Sequence, residues 1–245
     1  MERIDELQRD GYRLIQDTDQ FCFGTDAVLL ADFAKAKAGE KVMDLCSGTG
    51  VVSILMLARY PKALYSALEL QPQMVALSKR SVALNQIEDK VQIFEGDVRQ
   101  VKAQFAPRSF QALTVNPPYM KVEDAITSAH TPVALARHEI SCSLRDIMEA
   151  AAYLLTDKGR FYMVHKPQRL VEIIDEMLRV KIEPKRLRMV HPFVDKAPAQ
   201  VLIEGSLHGG RELRIEPPLI TYEKPGIYTQ EMKEVYGLDG HHSSL

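Results

Sequence analysis

From Lys41 onward the chain alternates short apolar runs with longer amphipathic ones, and that rhythm admits little besides a parallel sheet flanked by helices. Lys41–Leu45 reads as a strand. A helix over residues 50–60 follows, carrying Val51, Val52, Ile54, Leu55 and Leu57 and stopped by Pro61. Ala63–Leu68, Val91–Phe94 and Ala112–Val115 read as further strands, with a helix at Pro72–Asn85 whose proline suits a first turn. Downstream come a helix at Leu144–Leu155, a strand at Arg160–Val164 and a helix at Gln168–Val180. Two strands near Arg186–Val190 and Gln200–Ser206 are expected to pair as an antiparallel edge hairpin. The expected fold class is α/β, a doubly wound and mostly parallel sheet.

Residues 1–40 stand outside this rhythm. Tyr12–Ile15 and Gln20–Phe23 flank Asp17-Thr18-Asp19, a turn composition, so a short hairpin is expected there, then a helix at Ala27–Ala38. After residue 206 the chain offers a short strand at Leu219–Tyr222 and a helix at Thr229–Tyr236. The organisation expected is an extension over 1–40, a main domain over 41–206 and a C-terminal extension over 207–245. A chain of 245 residues, 46% hydrophobic and 26% charged, can bury one substantial core and is not disordered as a whole. No apolar run approaches a membrane span, and Met1-Glu2-Arg3-Ile4-Asp5 opens no signal peptide. Cys22, Cys46 and Cys142 are too few, too scattered and odd in number for a disulfide framework or a zinc site. The cytoplasm, with no membrane and no metal, is the expected setting.

The net charge of -2 does not announce a nucleic-acid binder, but the distribution is uneven. Between Lys158 and Lys196 stand ten Lys/Arg against five Asp/Glu. Within that stretch Arg179, Lys181, Lys185, Arg186 and Arg188 face only Glu183. Two readings stay open: a cluster that grips phosphates, with Arg186 and Arg188 as contacts, or a solvated helix end and strand edge.

The first strand of the alternation runs into Asp44-Leu45-Cys46-Ser47-Gly48-Thr49-Gly50, and a helix follows at once. Gly48 and Gly50 let the backbone turn sharply and approach a ligand. Dinucleotide-binding oxidoreductases share this layout, but the third glycine position of their motif is Ser53 here. Asp44 also puts negative charge where a pyrophosphate would be repelled and where a cofactor with an ammonium and a sulfonium would be welcome. Glu69 closes the second strand and can accept hydrogen bonds from both hydroxyls of a ribose. Asp97, just past the third strand, can receive the amine of the cofactor's adenine, with the Val98 N–H offered to a ring nitrogen. Three acids at the carboxyl ends of successive strands converge on one crevice.

Asn116-Pro117-Pro118-Tyr119 follows the fourth strand and therefore borders the same crevice. An adenine amino nitrogen is a poor nucleophile because its lone pair is delocalised into the ring. The Asn116 side-chain oxygen and the Pro117 carbonyl can hold its two N–H bonds and aim the lone pair at a methyl group. The prolines stiffen the loop, and Tyr119 offers a ring for a planar target. The alternative is a Pro-Pro turn that simply ends a strand. Found one strand beyond a matching cofactor turn, the catalytic reading is the stronger.

These residues resemble the class I methyltransferases of the Asn-Pro-Pro-Tyr group. That resemblance implies a seven-stranded doubly wound sheet with S-adenosylmethionine as cofactor. It implies that Gly48 and Gly50 line the cofactor, Glu69 takes its ribose and Asp97 with Val98 its adenine. The amino end, Glu2-Arg3-Ile4-Asp5-Glu6-Leu7-Gln8 and Phe21-Cys22-Phe23-Gly24-Thr25-Asp26-Ala27-Val28-Leu29-Leu30, is similar to bacterial tRNA-valine adenine-N6 methyltransferases, as are Ala136-Arg137-His138-Glu139 and Pro192-Phe193-Val194-Asp195-Lys196-Ala197-Pro198. By that likeness Thr25 and Asp26 lie over the cofactor's methionine end, although Thr25 stands where methionine is expected in many relatives. The partner implied is tRNA at its anticodon arm, with Tyr119, Arg137 and Lys196 as substrate contacts; His138 reads equally as a capped structural residue. Competing readings are glutamine-amide methylation of a release factor, methylation of DNA or rRNA, and a cofactor-binding RNA module without turnover. A release-factor enzyme needs a larger amino-terminal domain than about forty residues allow.

Overall fold

The computed structural model describes residues 1–19, 22–118 and 142–238, and in them the short apolar runs pair side by side while the amphipathic runs cover both faces. The chain opens with β1 (Glu2–Glu6) and β2 (Arg13–Asp17), an antiparallel hairpin. This corrects the expected pairing around residues 17–19. The reversal instead uses Gln8, Asp10 and Gly11, all at positive φ, and β2 is anchored by its neighbours on the far side. Leu14, Ile15 and Gln16 are buried, and the Ile15 and Arg13 amides donate to Ser81 Oγ and Asn85 Oδ1. Of the expected second strand, Gln20 and Phe21 lie outside the described residues. Helix α1 (Thr25–Phe33) ends five residues before the expected point, because Ala34 turns to extended backbone.

Then come β3 (Lys41–Leu45), α2 (Val51–Arg59), β4 (Leu64–Glu69), α3 (Pro72–Leu84) and β5 (Val91–Glu95). A short α4 (Val101–Gln104), β6 (Phe110–Val115), α5 (Leu144–Leu154), β7 (Leu155–His165) and α6 (Leu170–Arg179) follow. The chain closes with β8 (Ile182–His191), β9 (Gln200–Leu207), the short strands β10 (Arg214–Ile215), β11 (Leu219–Ile220), β12 (Tyr222–Lys224) and β13 (Ile227–Tyr228), and α7 (Gln230–Tyr236). Helix α5 illustrates the local logic. Ser143 caps it through a capping box with Asp146, and Leu144, Ile147, Met148, Ala151 and Leu154 form one buried stripe. Each such large side chain contributes roughly 1.5–3 kcal/mol by leaving water.

Across the main sheet the order is β5-β4-β3-β6-β7-β9-β8. The first five strands are parallel, and β9 runs antiparallel between β7 and β8 as the expected edge hairpin. β10 and β11 extend the β8 edge in parallel, making nine strands; β11 falls within the strand expected at Leu219–Tyr222, while β10 was not foreseen. Alternation splits the core in two. Val42 and Tyr162 pack with α1, α2 and α7 on one face, while Met43 and Phe161 pack with α5 and α6 on the other. The chain winds outward from β3 to β5 and returns to lay β6 on the opposite side of β3. The carboxyl ends of β3 and β6 therefore flank the point where strand order reverses, which is where such sheets form a ligand crevice.

Candidate active site

Residues 46–50, at the end of β3, make a turn that few residue types tolerate. Cys46, Gly48 and Gly50 have φ of 55°, 54° and 76°. At Gly50 a Cβ would lie 2.4 Å from Ser78 Oγ, so both conformation and space demand glycine. The turn is tied to the next strand: the Ser47 N–H donates to Leu68 O (3.1 Å) and the Gly48 N–H to Glu69 Oε2 (2.8 Å). Glu69 Oε1 accepts from the Gln71 N–H at 2.9 Å.

Beneath the turn lies Asp44, 2% exposed, accepting from Thr114 Oγ1 (2.8 Å) and Ser53 Oγ (3.3 Å). Burial pushes its carboxyl up to about 7, with the nearby Glu69 adding to the rise and the two hydroxyls opposing it. Glu69 is 5% exposed, and neither acid is ion-paired among the described residues. Two buried carboxyls without a cation, beside a Ser47 hydroxyl that is buried and unpartnered, suit a ligand bringing positive charge and polar groups. A compact cofactor with a sulfonium, an ammonium and ribose hydroxyls has that character. A pyrophosphate does not.

Strand register brings the second motif alongside. Asp44 pairs with Thr114 and Leu45 with Val115 on the adjacent strands β3 and β6. Asn116 is therefore the first residue to leave β6, level with Cys46 at the mouth of the turn, and strands so paired lie about 4.8 Å apart. Asn116 is half-buried, Pro117 buried and Pro118 exposed. Tyr119, Arg137 and His138 lie outside the described residues.

A family model, the methyltransferase small domain, matches residues 18–183, more than half of the chain. The chain belongs to this family. It is an S-adenosylmethionine-dependent methyltransferase. A relative from Histophilus somni, named tRNA1(Val) (adenine(37)-N6)-methyltransferase, is 30% identical over 165 residues, covering 67% of this chain and 69% of that protein. One of the same name from Parabacteroides distasonis is 26% identical over 184 residues, covering 74% and 75%. The crystal structure of a predicted O-methyltransferase from Agrobacterium tumefaciens superposes with a TM-score of 0.70 at 20% identity, covering 86% of this chain and 95% of that one. That likeness concerns the fold alone.

The remaining expected cofactor residues fall at the same edge of the methyltransferase with differing surroundings. Asp97 follows β5 and caps a short helical turn, accepting from the Arg99 N–H (2.8 Å). The Arg99 guanidinium grips both its oxygens and holds its carboxyl below the usual range. Val98 is buried beside it. Thr25 begins α1 and its Oγ1 accepts from the Tyr236 hydroxyl at 3.0 Å. Asp26 is buried, its Oδ1 accepting from the Ala27 N–H.

At Arg186 and Arg188 the structure shows neither a bare basic cluster nor a solvated edge, since both guanidiniums are taken up within the protein. Arg186 is 9% exposed, lies over the Phe33 ring at 3.8 Å, and donates to Glu204 (2.7 Å) and to the Phe33 carbonyl (2.7 Å). Arg188 is held by the Pro217 carbonyl (3.0 Å) and Glu231 (2.5 Å). Their partners come from outside the basic stretch, which is why a local charge count misreads it. Arg179 is likewise paired, with Glu149 and Glu176. Lys196 differs: its side chain is 62% exposed, on the β8–β9 loop at the carboxyl edge of the sheet, and among the described residues its ion pair is with its neighbour Asp195 at 3.4 Å.

Several residues were missed. Thr114 was legible as a polar residue in the apolar end of a strand, two before Asn116. Tyr236 was not legible, since it reaches Thr25 across 211 residues. It ends a run of aromatic rings, Phe193, Tyr222, Tyr228 and Tyr236, spaced 5.1–5.7 Å apart. Among the described residues, no group of three or more His, Cys, Asp or Glu could hold a metal ion, and no helix is long and apolar enough to cross a membrane.

Proposed function

We propose that this methyltransferase methylates the exocyclic N6 amine of an adenine in tRNA, in the anticodon loop, and works in the cytoplasm. The single observation that carries the reading is the register of β3 and β6, in which Leu45 opposite Val115 sets Asn116-Pro117 beside the Cys46–Gly50 turn. The names of the Histophilus and Parabacteroides relatives favour tRNA adenine as the acceptor over the other conjugated nitrogens the motif serves.

When bound, S-adenosylmethionine supplies an electrophilic methyl group on a sulfonium. In this reading Gly48 and Gly50 let the turn approach it, and Asp44 gives the negative field that favours its positive charge. Glu69 takes the ribose hydroxyls, and Asp97 with the Val98 N–H takes the adenine. Thr25 and Asp26 close over the amino-acid end. Asn116 Oδ1 and the Pro117 carbonyl accept the two N–H bonds of the target amine, which strips its lone pair of competing geometry and points it across the gap. Tyr119 stacks on the base, while Arg137 and Lys196 meet the RNA. No protein nucleophile is needed, because the barrier falls through alignment of atoms about 3–3.5 Å apart and fixed acceptors. A loop adenine is also cheap to extrude, since only a few kcal/mol of stacking must be replaced.

The test is methylation of unmodified tRNA-Val followed by nucleoside mass spectrometry for N6-methyladenosine. Asn116→Ala should lose about 3 kcal/mol of transition-state stabilisation, roughly a hundredfold in rate, with cofactor affinity retained. Near-wild-type turnover in that variant would refute the role of the motif. A methylated product other than N6-methyladenosine would refute the substrate.

A further inference from the structure

Cys46 and Cys142 are 96 residues apart in the chain, yet their sulfurs lie 3.8 Å apart, both half-buried. Neither thiol has a part in the methyl-transfer reading. The contact joins the Cys46–Gly50 turn to the start of α5. Cys46 is the first residue of the cofactor turn, at φ 55°, and Cys142 directly precedes Ser143, the N-cap of α5. No third ligand accompanies them, since among the described residues no metal-holding group is found and the nearby Asp97 is engaged by Arg99. What the two sulfurs offer each other is thiol chemistry.

We propose that Cys46 and Cys142 form a dithiol modification site whose co-reactant is a hydroperoxide, and that its product, a disulfide, turns off cofactor binding. The two thiols are unequal. Their mutual contact raises the Cys46 thiol and lowers the Cys142 thiol, while burial raises Cys46 further. The start of α5 adds a favourable dipole for negative charge at Cys142. The Cys142 thiolate attacks the terminal peroxide oxygen, forming an S–O bond and breaking the O–O bond to release an alkoxide, or hydroxide when the co-reactant is hydrogen peroxide. The resulting sulfenic acid is then attacked by Cys46: the S–S bond forms, the S–O bond breaks, and the Cys46 proton leaves with the hydroxyl as water. Two thiols are oxidised and one hydroperoxide is reduced.

A disulfide needs the sulfurs at about 2.05 Å, so one or both chains must close about 1.8 Å. Cys46 has little freedom to do so without cost to the site. Leu45 before it is fixed in register between β4 and β6, and Ser47 and Gly48 after it are bonded to Leu68 O and Glu69 Oε2. Pulling Cys46 toward α5 therefore draws on the same Gly48–Glu69 contact that shapes the cofactor turn.

This inference rests on the cofactor reading of the turn and not on the RNA substrate, so it is tested with S-adenosylhomocysteine. The full-length protein is treated with hydrogen peroxide, digested without reduction and mapped by mass, and its affinity for S-adenosylhomocysteine is measured by calorimetry before and after. The expected result is a Cys46–Cys142 cross-linked peptide two hydrogens lighter than the pair, at least a tenfold loss of affinity, and recovery on adding dithiothreitol. Cys142→Ser and Cys142→Ala should keep their affinity through the same treatment. Both thiols remaining open to alkylation after peroxide would overturn the proposal. So would a cross-link that leaves affinity unchanged, or equal loss of affinity in the Cys142 variants. Untreated protein that fails to bind S-adenosylhomocysteine would instead count against the cofactor reading, and the peptide map would still decide whether the dithiol forms.

Discussion

Replacing Asp44 by Asn sets the stability of the fold against the needs of the cofactor. In the folded protein burial raises the Asp44 carboxyl from 3.8 to about 7. A carboxyl whose folded value lies above its unfolded one costs nothing while both states are protonated, below about pH 4. The cost grows as pH rises from there through 7 and is constant above. About three pH units at 1.36 kcal/mol each give a penalty near 4 kcal/mol on the alkaline plateau, and about 2 kcal/mol at pH 5. An amide escapes that cost while its Oδ1 still accepts from Thr114 and its Nδ2 can donate to Ser53. In the absence of cofactor, Asp44→Asn should be more stable than the native protein in urea, and the gap should widen by about 2 kcal/mol between pH 5 and pH 8.

His165 acts in the opposite sense over part of this window but does not disturb the comparison. Burial lowers its imidazole to about 4, so both proteins lose stability alike as pH falls from 6.5 toward 4. Meanwhile the variant lacks the negative charge that would face the sulfonium and ammonium. Its affinity for S-adenosylmethionine should fall about tenfold or more, equivalent to about 1.4 kcal/mol. A more stable protein that binds its cofactor worse is the expected outcome. A gap that is flat with pH, or a variant less stable at pH 8, would refute the account of Asp44 as a strained carboxyl held for a cation.

Arg186→Ala should destabilise the fold by about 3–5 kcal/mol in thermal or urea unfolding, because Glu204, Glu216 and the Phe33 carbonyl lose a buried partner. Weaker tRNA binding with unchanged stability would restore Arg186 as a phosphate contact. Tyr236→Phe removes only the hydroxyl that reaches Thr25 and should cost about 1 kcal/mol, read in unfolding and in cofactor affinity; no change in either would make that contact incidental. Lys196→Ala should reduce the salt dependence of tRNA binding by about one unit of log–log slope, and an unchanged slope would remove Lys196 from the RNA face.

What the sequence disclosed and what it hid divide along one physical line. Features set by neighbours within a few residues were legible. The period of Lys41–Leu45 and its successors, Pro72 at the head of α3, the glycines at 48 and 50, and the acids Asp44, Glu69 and Asp97 at strand ends all follow from local sterics and pattern. So did the placing of Asn116 level with the Cys46–Gly50 turn, because doubly wound sheets reverse strand order at a fixed place. The errors arise where distant partners decide. The amino-terminal hairpin was paired with the wrong segment because β2 takes its register from Ser81 on α3 and Asn85 at its C-cap as well as from its own turn. The basic stretch dissolved because Glu204, Glu216 and Glu231 reach back to it.

The cysteines make the same case from the other side. Counted along the chain they are scattered, and a count argues against a disulfide framework without weighing any single pair. Yet the sheet that sets Asn116 level with Cys46 also leaves room for the start of α5 at the same edge, so a thiol 96 residues away arrives beside the Gly-rich turn. Spacing can reject a pattern that must recur, such as a knottin or a zinc ribbon. It has no purchase on a single pair formed by topology. The strand order that makes the active site inferable is therefore also what makes Cys142 invisible until the fold is known, and a switch assembled this way would leave no motif to search for.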